Sequence, residues 1–258
     1  MEQRQKPSTA SVPVVVCGLG PRGVVATASY EARRFGVGSA MPTVTARRRC
    51  PQGVFLAPRM QAYREHSAAI MAVLAGFADV LEQVSIDEAY LVVSAHSGLV
   101  TGVLAAVVNA VWQGTGLRVS VGAGRSKLVA KLASTAAKPR GQRWVTRTQE
   151  QGFLDPLPVA ALPGIGPVAV ARLREVGINS VAQLRALSPV RLLERLLGTA
   201  GGAAARSMAV GQDSRVVASS REVKSVSAER TLDFDVPASQ RGQQVAVAGV
   251  QDWSQIAA

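Results

Sequence analysis

Two adjacent carboxylates, Asp87 and Glu88, stand between two apolar runs in the sequence VLEQVSIDEAYLVV of residues 80–93. Runs of β-branched and aromatic residues favour strands, so this segment predicts a hairpin with both acids at its tip or edge. Acids on a rigid sheet suit divalent-metal and phosphate chemistry, because hard cations prefer oxygen ligands. An Asp-Glu pair can equally form a turn that only solvates a hairpin. The rest of the chain has to distinguish between these two interpretations.

The composition indicates a globular protein without a membrane span. At 258 residues and 48% hydrophobic residues, the chain can bury a core in one large domain or in roughly two to three small ones. The most apolar helix-like run, Leu99–Trp112, is interrupted by Thr101 and Asn109 and is too short to cross a bilayer. Nothing resembles a signal peptide. The sequence therefore predicts a cytoplasmic location.

The cysteines and histidines form no recognisable site. Cys17 and Cys50 have no paired spacing and no histidine cluster nearby, so neither a disulfide framework nor a zinc site is expected. His66 and His96 are likewise unsupported as metal ligands.

The charge balance favours a polyanionic partner. A net charge of +12 and a pI near 10.9 make nucleic acid the first candidate. An alternative is that GC-rich coding alone produced the excess, because arginine supplies 24 of the 29 basic residues. Aromatic residues make up only 4% of the chain, so contacts to nucleic acid are expected mainly at phosphates and not through base stacking.

The hydrophobic pattern changes character beyond Leu154. Before it, helices and strands are mixed as in an α+β unit. Predicted strands there are Val12–Cys17, Val24–Thr27, the acidic hairpin, Leu117–Val121 and Arg143–Val145, and predicted helices are Ser29–Phe35, Pro42–Arg49, Arg59–Phe77, Gly98–Trp112 and Ser126–Ala137. After it, short helices and glycine turns indicate a second domain. A polar linker at Gln212–Ser220 and a strand-forming stretch at Val223–Asp235 follow.

A helix-hairpin-helix is predicted where residues 162–167 read LPGIGP and an amphipathic helix follows. Gly164 and Gly166 allow the backbone to approach a ligand closely, and amides at the start of the second helix favour a DNA phosphate in the field of the helix dipole. Such contacts are independent of base sequence. The alternative is an ordinary helical hairpin.

Two other glycine patterns are excluded as nucleotide motifs. The sequence GLGPRG at Gly18–Gly23 follows a strand, yet Pro21 and a second β-type run replace the helix that a dinucleotide fold requires. A hairpin turn is predicted there instead. The sequence GAGRSK at Gly122–Lys127 lacks the Gly-Lys-Ser/Thr ending of a phosphate loop.

Three further residues could hold nucleotide phosphates. Tyr30 and Arg33 lie in the sequence SYEARRFGV, and Lys138 lies in AKPRG. Arginine presents a fork that matches phosphate oxygens, and lysine presents a movable point charge. Each residue taken singly is more typical of a solvated surface, but together with the acidic hairpin they form a set.

This set resembles the Y-family of translesion DNA polymerases, in particular the DinB or DNA polymerase IV type. The likeness runs in the family's order through ASYEAR (28–33), GV (36–37), AMP (40–42), CP (50–51), YR (63–64), Ser67, SIDEAY (85–90), Gly122, SK (126–127), AK (130–131), AS (133–134), AKP (137–139), the Gly-Ile-Gly turn and SAERT (227–231). It covers most of the chain.

The resemblance implies an α+β right hand with palm, fingers and a helical thumb that carries the helix-hairpin-helix. The implied domains are fingers at 1–59, palm at 60–146, thumb at 147–212, a linker at 213–224 and a partial little finger with an unmatched tail at 225–258. The family's first palm strand has no matching segment before Val12 in this sequence. Most of the family's little finger has no matching segment either. We therefore expect a chain truncated at both ends, with weak catalysis and weak DNA affinity.

The resemblance also implies a two-metal site for Mg²⁺. Asp87 and Glu88 match two of the family's three metal-binding carboxylates, with Asp87 bridging the two ions and Glu88 beside the primer hydroxyl. The third carboxylate and the sugar-discriminating gate belong to the palm strand that has no counterpart here. One ligand of the metal site is therefore expected to be missing from the chain.

The remaining implied contacts concern the substrates. Tyr30, Arg33 and Lys138 match residues that hold the incoming deoxynucleoside triphosphate. Gly164, Ile165 and Gly166 match the contact with the backbone of the primer–template DNA. A sliding clamp is a partner of the family, but no clamp-binding peptide is recognisable here.

The leading hypothesis is an error-prone DNA-directed DNA polymerase that adds nucleotides opposite damaged template in translesion synthesis and repair. The alternative is a catalytically disabled homologue that binds DNA or regulates. A repair glycosylase or nuclease built on the helix-hairpin-helix is a third hypothesis, but no catalytic constellation follows that motif.

Overall fold

The computed structural model describes residues 1–94, 99–187, 191–219 and 235, and the chain divides into two compact units. The first unit comprises residues 1–63 and 222–258, and the second comprises residues 64–221. The strands are β1 Val14–Cys17, β2 Val25–Ala28, β3 Val54–Leu56, β4 Val80–Gln83, β5 Ala89–Val92, β6 Val121–Ala123 and β7 Gln142–Trp144. The α-helices are α1 Glu2–Gln5, α2 Tyr30–Arg33, α3 Thr43–Arg49, α4 Met60–Ala75, α5 Val100–Thr115, α6 Lys127–Ala136, α7 Glu150–Leu154, α8 Pro167–Glu175, α9 Val181–Ala186, α10 Arg191–Leu197 and α11 Thr199–Ala209. Within the described residues, 3₁₀ helices lie at Pro7–Thr9 and Val159–Ala161.

The first unit is built on a three-stranded sheet with the order β2-β1-β3. The central strand β1 is antiparallel to β2 and parallel to β3, so that Val15 lies opposite both Ala28 and Phe55. All four residues of β1 are buried, and its uninterrupted apolar sequence VVVC fits a strand covered on both faces. The helix α2 follows β2 directly and is capped by Ser29, whose hydroxyl accepts from the Ala32 amide.

The glycine-rich stretch Gly18–Gly23 closes the hairpin between β1 and β2, as the sequence predicts. The Gly18 amide donates to the Val24 carbonyl at 3.1 Å, and the Gly23 amide donates to the Gly20 carbonyl at 3.0 Å. A Cβ atom at Gly23 would collide with the backbone of Gly18, so this position requires glycine for close packing of the turn. The turn accounts for these glycines without any bound dinucleotide.

In the first part of the second unit, two helices pack against the acidic hairpin. Strands β4 and β5 pair antiparallel in the register Glu82 opposite Tyr90. Leu74 of α4 and Val107 and Val111 of α5 are buried in a common cluster, against which apolar residues of both strands pack. This packing fixes the hairpin that carries the candidate carboxylates.

A compact βαβ unit follows. Strands β6 and β7 are parallel, and α6 connects them. The Ser126 hydroxyl caps α6 by accepting from the Val129 amide at 3.3 Å. Gly122 lies so close to the backbone of α6 at Ala130 and Ser134 that a side chain would not fit. The glycine of the GAGRSK sequence therefore serves helix–strand packing.

The helical part of the second unit has its own larger core. It contains Leu154, Leu162, Leu173, Leu184 and Leu193, which are buried with side chains of α6. Helix α9 begins with a complete capping box, and helices α10 and α11 pack against each other. This core supports the turn that precedes α8.

Two details differ from the predictions. The predicted strand Leu117–Val121 begins only at Val121, because the pairing partner β7 starts at Gln142, opposite that residue. Strand β3 is not predicted from the sequence. It has only three residues, Val54–Leu56, and these do not alternate between apolar and polar side chains. The predicted strand Val223–Asp235 lies outside the described residues, apart from Asp235. None of the helices in the described ranges is both long and apolar enough to span a membrane.

Candidate active site

The carboxylates Asp87 and Glu88 lie in a tight turn that joins β4 to β5. The amides of Val84 and Ser85 both donate to the Glu88 carbonyl, at 2.9 and 3.2 Å. The Ser85 hydroxyl donates to Asp87 Oδ1 at 2.6 Å and accepts from the Asp87 amide at 3.3 Å. Asp87 is exposed, so this hairpin presents a carboxylate to solvent on a defined backbone.

A cation contacts the second carboxylate. Lys131 Nζ donates to Glu88 Oε1, and the two side chains are 31% and 41% exposed. Their partial exposure leaves both groups accessible to a ligand. Within the described parts of the chain, no three His, Cys, Asp or Glu side chains are grouped so that they could hold a metal ion.

The base of the same hairpin holds a second, buried ion pair. Lys127 Nζ donates to both carboxylate oxygens of Glu82, at 2.8 and 2.6 Å, and neither side chain is more than 3% exposed. The Lys127 ammonium also lies 4.8 Å from the ring centroid of Tyr90. Burial raises the pKa of Tyr90 above its ordinary value.

Lys138, the candidate phosphate ligand of the second unit, lies just beyond α6. Its amide donates to the Thr135 carbonyl at 3.2 Å, and the following peptide bond to Pro139 is cis. The residue is exposed. Its ammonium group is therefore available to an anionic ligand.

Tyr30 and Arg33 lie together on α2 in the first unit. The Arg33 guanidinium is 5.4 Å from the Tyr30 ring centroid, and its Nε donates to the Ala28 carbonyl at 3.0 Å. Tyr30 is 49% exposed. The structure thus forms this pair as a local unit on α2.

The helix-hairpin-helix turn precedes the nine-residue helix α8. Gly164 has φ 84, which only glycine adopts easily, and Gly166 is the N-terminal cap. The side chain of Ile165 is buried in the helical core, so this residue can contact DNA only through its backbone. An open groove of about 380 Å³ lies between this turn and helices α10 and α11.

The buried pair Glu82–Lys127 is the feature that sequence reasoning missed. A signal for it exists, because Lys127 and Lys131 are four residues apart and therefore share one face of α6. Both lysines belong to segments that carry the family resemblance, yet the sequence alone does not show which acid each one meets.

Comparison with known sequences identifies the family. Residues 1–135 match the model of the IMS: impB/mucB/samB family. A DNA polymerase IV of Streptomyces coelicolor is 43% identical over 241 residues, which cover 92% of this chain and 50% of that protein. A DNA polymerase IV of Dehalococcoides mccartyi is 39% identical over 239 residues, covering 91% of this chain and 61% of that protein. A DNA polymerase IV of Neisseria meningitidis is 36% identical over 259 residues, covering 99% and 73%.

Solved structures agree with the sequence comparison. The crystal structure of DinB from Sulfolobus solfataricus matches with a TM-score of 0.77 and 31% identity, over 84% of this chain and 64% of that chain. The insertion ternary complex of Dbh DNA polymerase also gives a TM-score of 0.77 with 31% identity, over 84% and 65%. The chain spans half the length of the Streptomyces relative and less than two thirds of the DinB chain. With the α+β architecture, these matches show that the chain belongs to the impB/mucB/samB family, the Y-family of DNA polymerases.

Proposed function

We propose that this chain is the palm, fingers and thumb portion of an error-prone DNA-directed DNA polymerase that acts in translesion synthesis. The observation that carries the proposal is the exposed Asp87–Glu88 turn at the tip of the β4–β5 hairpin, in a chain of the polymerase family. A carboxylate pair held by a rigid hairpin and open to solvent supplies two of the oxygen ligands that a phosphoryl-transfer site uses. The DNA polymerase IV relatives support the same reaction.

The residues at the turn fit magnesium as cofactor. Asp87 and Glu88 supply hard oxygen donors, and Mg²⁺ in phosphoryl-transfer sites is typically bound by one or two carboxylates, with water and substrate phosphates completing its shell. Asp87 and Glu88 would hold the ions, which would supply Lewis-acid chemistry for activating the primer 3′-hydroxyl and for stabilising the charge of the phosphoryl group and the leaving pyrophosphate. Ser85 orients Asp87 through its 2.6 Å hydrogen bond, so the carboxylate is held for this role before any ligand arrives.

Tyr30, Arg33 and Lys138 are proposed to bind the incoming deoxynucleoside triphosphate. The Arg33 Nε donates a hydrogen bond to the Ala28 carbonyl. The two terminal nitrogens of the guanidinium are proposed to donate to phosphate oxygens. Exposed Lys138 supplies a point charge. Substituting Lys138 by alanine should therefore raise KM for the nucleotide more than it lowers kcat.

Primer–template DNA is the proposed macromolecular partner. The backbone at Gly164, Ile165 and Gly166 and the start of α8 suit a phosphate contact, because helix-start amides and the helix dipole favour an anion. Affinity carried by such contacts falls with salt, by a log–log slope of about −0.9 for each neutralised phosphate. A cytoplasmic location and a clamp partner remain predictions from the sequence and the family.

Primer extension tests this function. The chain is incubated with a primed template, four deoxynucleotides and Mg²⁺, beside Asp87→Ala and the matched control Asp155→Ala. Asp155 is a partly exposed aspartate of the second unit, and its partners Arg185 and Gln151 contact neither candidate carboxylate. Extension by the wild type and by D155A, lost in D87A, is the expected result.

The alternative function has its own signature in the same experiment. Binding to primed DNA without extension, unchanged by D87A, would assign the chain to a catalytically disabled DNA-binding homologue. Removal of a base in the absence of nucleotides would instead indicate a glycosylase.

A further inference from the structure

Beyond the candidate site, the strongest unexplained feature is the buried charge at the base of the hairpin. Glu82 and Lys127 are among the few charged residues that are almost completely buried in the described chain. A buried ion pair is stable only if further hydrogen bonds satisfy its remaining polar atoms. The atoms that satisfy this pair come from the segment that follows α11.

That segment, residues 213–218, meets the pair through its backbone. The Ala218 amide donates to Glu82 Oε2 at 3.0 Å, and the Val216 carbonyl accepts from Lys127 Nζ at 3.4 Å. The segment therefore closes over the ion pair and supplies one donor and one acceptor that water would otherwise have to provide.

A second anchor lies at the start of the segment. Asp213 Oδ2 accepts from the Leu128 amide at 2.8 Å, in the first turn of α6. Arg215 holds this carboxylate with two hydrogen bonds, from Nε at 2.7 Å and from Nη2 at 2.8 Å. The Asp213 side chain is only 5% exposed, so the carboxylate is a buried cap on the helix that carries Lys127.

The two lysines of α6 connect this segment to the carboxylate turn. Lys127 reaches Glu82 on β4 and lies over the Tyr90 ring on β5, while Lys131, one turn further along the same face, reaches Glu88 at the tip. One helix thus contacts the hairpin at its base and at its tip, and the same helix is capped by the segment.

We propose that the segment 213–218 is a strap bound to the hairpin by the Glu82–Lys127 pair, and that Lys127 is a positioning residue that couples the strap to the Asp87–Glu88 turn. A force on the chain beyond residue 219 would shift the turn, and a ligand on the turn would shift the strap, since such coupling is reciprocal. All of these contacts lie within the second unit, so the coupling does not depend on whether the chain polymerises DNA.

Amide hydrogen exchange tests this coupling: a substitution is made in the strap, and the exchange rates of amides in the Asp87–Glu88 turn are measured. Asp213→Ala removes the cap, whose hydrogen bonds are made with Leu128 and Arg215 and not with the hairpin. It should accelerate exchange of the Leu128 and Ala218 amides by about tenfold, which corresponds to the loss of one charge-assisted hydrogen bond. If the strap supports the turn, the Val84 and Ser85 amides, which donate to the Glu88 carbonyl, should also exchange at least about threefold faster.

Asp155→Ala is the control, because it removes a more exposed aspartate that also pairs with an arginine, elsewhere in the same unit. It should leave all four rates within about twofold. A second variant, Glu82→Met with Lys127→Met, keeps the buried volume and removes both charges, so it should fold and still release the Ala218 amide.

Each outcome decides the proposal. Faster exchange at Leu128 and Ala218 with unchanged Val84 and Ser85 would show a bound segment without coupling and would overturn it. If the exchange rate of the Ala218 amide were unchanged both in Asp213→Ala and in the Glu82→Met, Lys127→Met double variant, the segment would not be bound as a strap at all. Equal acceleration by D155A would reveal a general loss of stability and would equally overturn the coupling. Primer extension is a separate readout, so failure of the polymerase function leaves this result unaffected.

Discussion

The base and the tip of one hairpin use carboxylates in opposite ways. At the base, Glu82 is 1% exposed and has two contacts from one ammonium group and one from a backbone amide. At the tip, Asp87 is exposed and Glu88 is partly exposed beside Lys131. Only a few residues separate Glu82 from Asp87 along the chain, yet the first side chain is buried and the second is exposed to solvent.

The comparison shows how burial assigns a role to an acid. A buried carboxylate has to satisfy every lone pair within the protein, and its partners then become part of the fold. An exposed carboxylate keeps lone pairs for water or a ligand, and contributes little to stability. Glu82 therefore serves the structure, and we expect the Asp87–Glu88 turn to be available to a ligand.

Disrupting the Glu82–Lys127 ion pair at the base of the hairpin should cause the largest loss of stability. Lys127→Met leaves Glu82 buried without its cation, which typically costs about 3–5 kcal/mol of unfolding free energy. Urea unfolding of the purified chain measures this change. Arg185→Gln removes a half-exposed ion pair of the same unit and should cost less than about 1 kcal/mol. Equal losses in the two variants would contradict the distinction between a structural base and an ordinary surface pair.

Low pH should weaken the second contact of the strap, between the Asp213 carboxylate and the Leu128 amide. Hydrogen bonds from Arg215, opposed by burial, hold the pKa of Asp213 below the ordinary value of 3.8. A carboxylate with a lowered folded pKa stabilises the protein fully above its unfolded pKa, and this contribution is lost as the pH falls through the folded pKa. Asp213→Asn lacks the contribution, so its difference in unfolding free energy from the wild type should shrink below pH 3.8. A difference that stays constant down to acid pH would show that the carboxylate charge plays no part.

Much of the local structure follows directly from the sequence. The hairpin around the acid pair, the turn at Gly18–Gly23 and the helices that begin after Ser29 and Ser126 are predicted and confirmed. These features depend on neighbours in the chain: alternating hydrophobicity, glycines in tight turns and hydroxyls that cap helices. The family resemblance, which rests on ordered short motifs, is confirmed by the comparisons.

Contacts between distant parts of the chain could not be predicted in the same way. The bond from Leu128 to Asp213 spans 85 residues, and that from Ala218 to Glu82 spans 136. No local periodicity encodes such a pairing, since many acids and amides could satisfy it equally well. The roles of the candidate metal, nucleotide and DNA ligands likewise stay predictions, because each depends on a partner molecule.

The ion pair at the tip should contribute only modestly to stability. Lys131→Gln removes a partly exposed pair, so the expected loss is about 0.2–1 kcal/mol. Because water and salt reach the pair, the loss should diminish further when unfolding is repeated at 1 M salt, where the screening length is about 3 Å. A loss as large as that of Lys127→Met, or one independent of salt, would place the tip in the same class as the base.

Asp87→Asn gives the smallest expected change in stability and the sharpest test of the comparison. The side chain is exposed, its partner is the hydroxyl of neighbouring Ser85, and an amide oxygen can still accept that hydrogen bond. Removing one of two adjacent negative charges also relieves repulsion with Glu88, so the free energy of unfolding should be unchanged or raised by at most about 0.5 kcal/mol. Urea unfolding gives this value, and primer extension on the same preparation gives the activity. Activity lost with stability intact is the signature of a residue kept for its ligand, whereas a loss of several kcal/mol would show that the tip supports the fold as the base does.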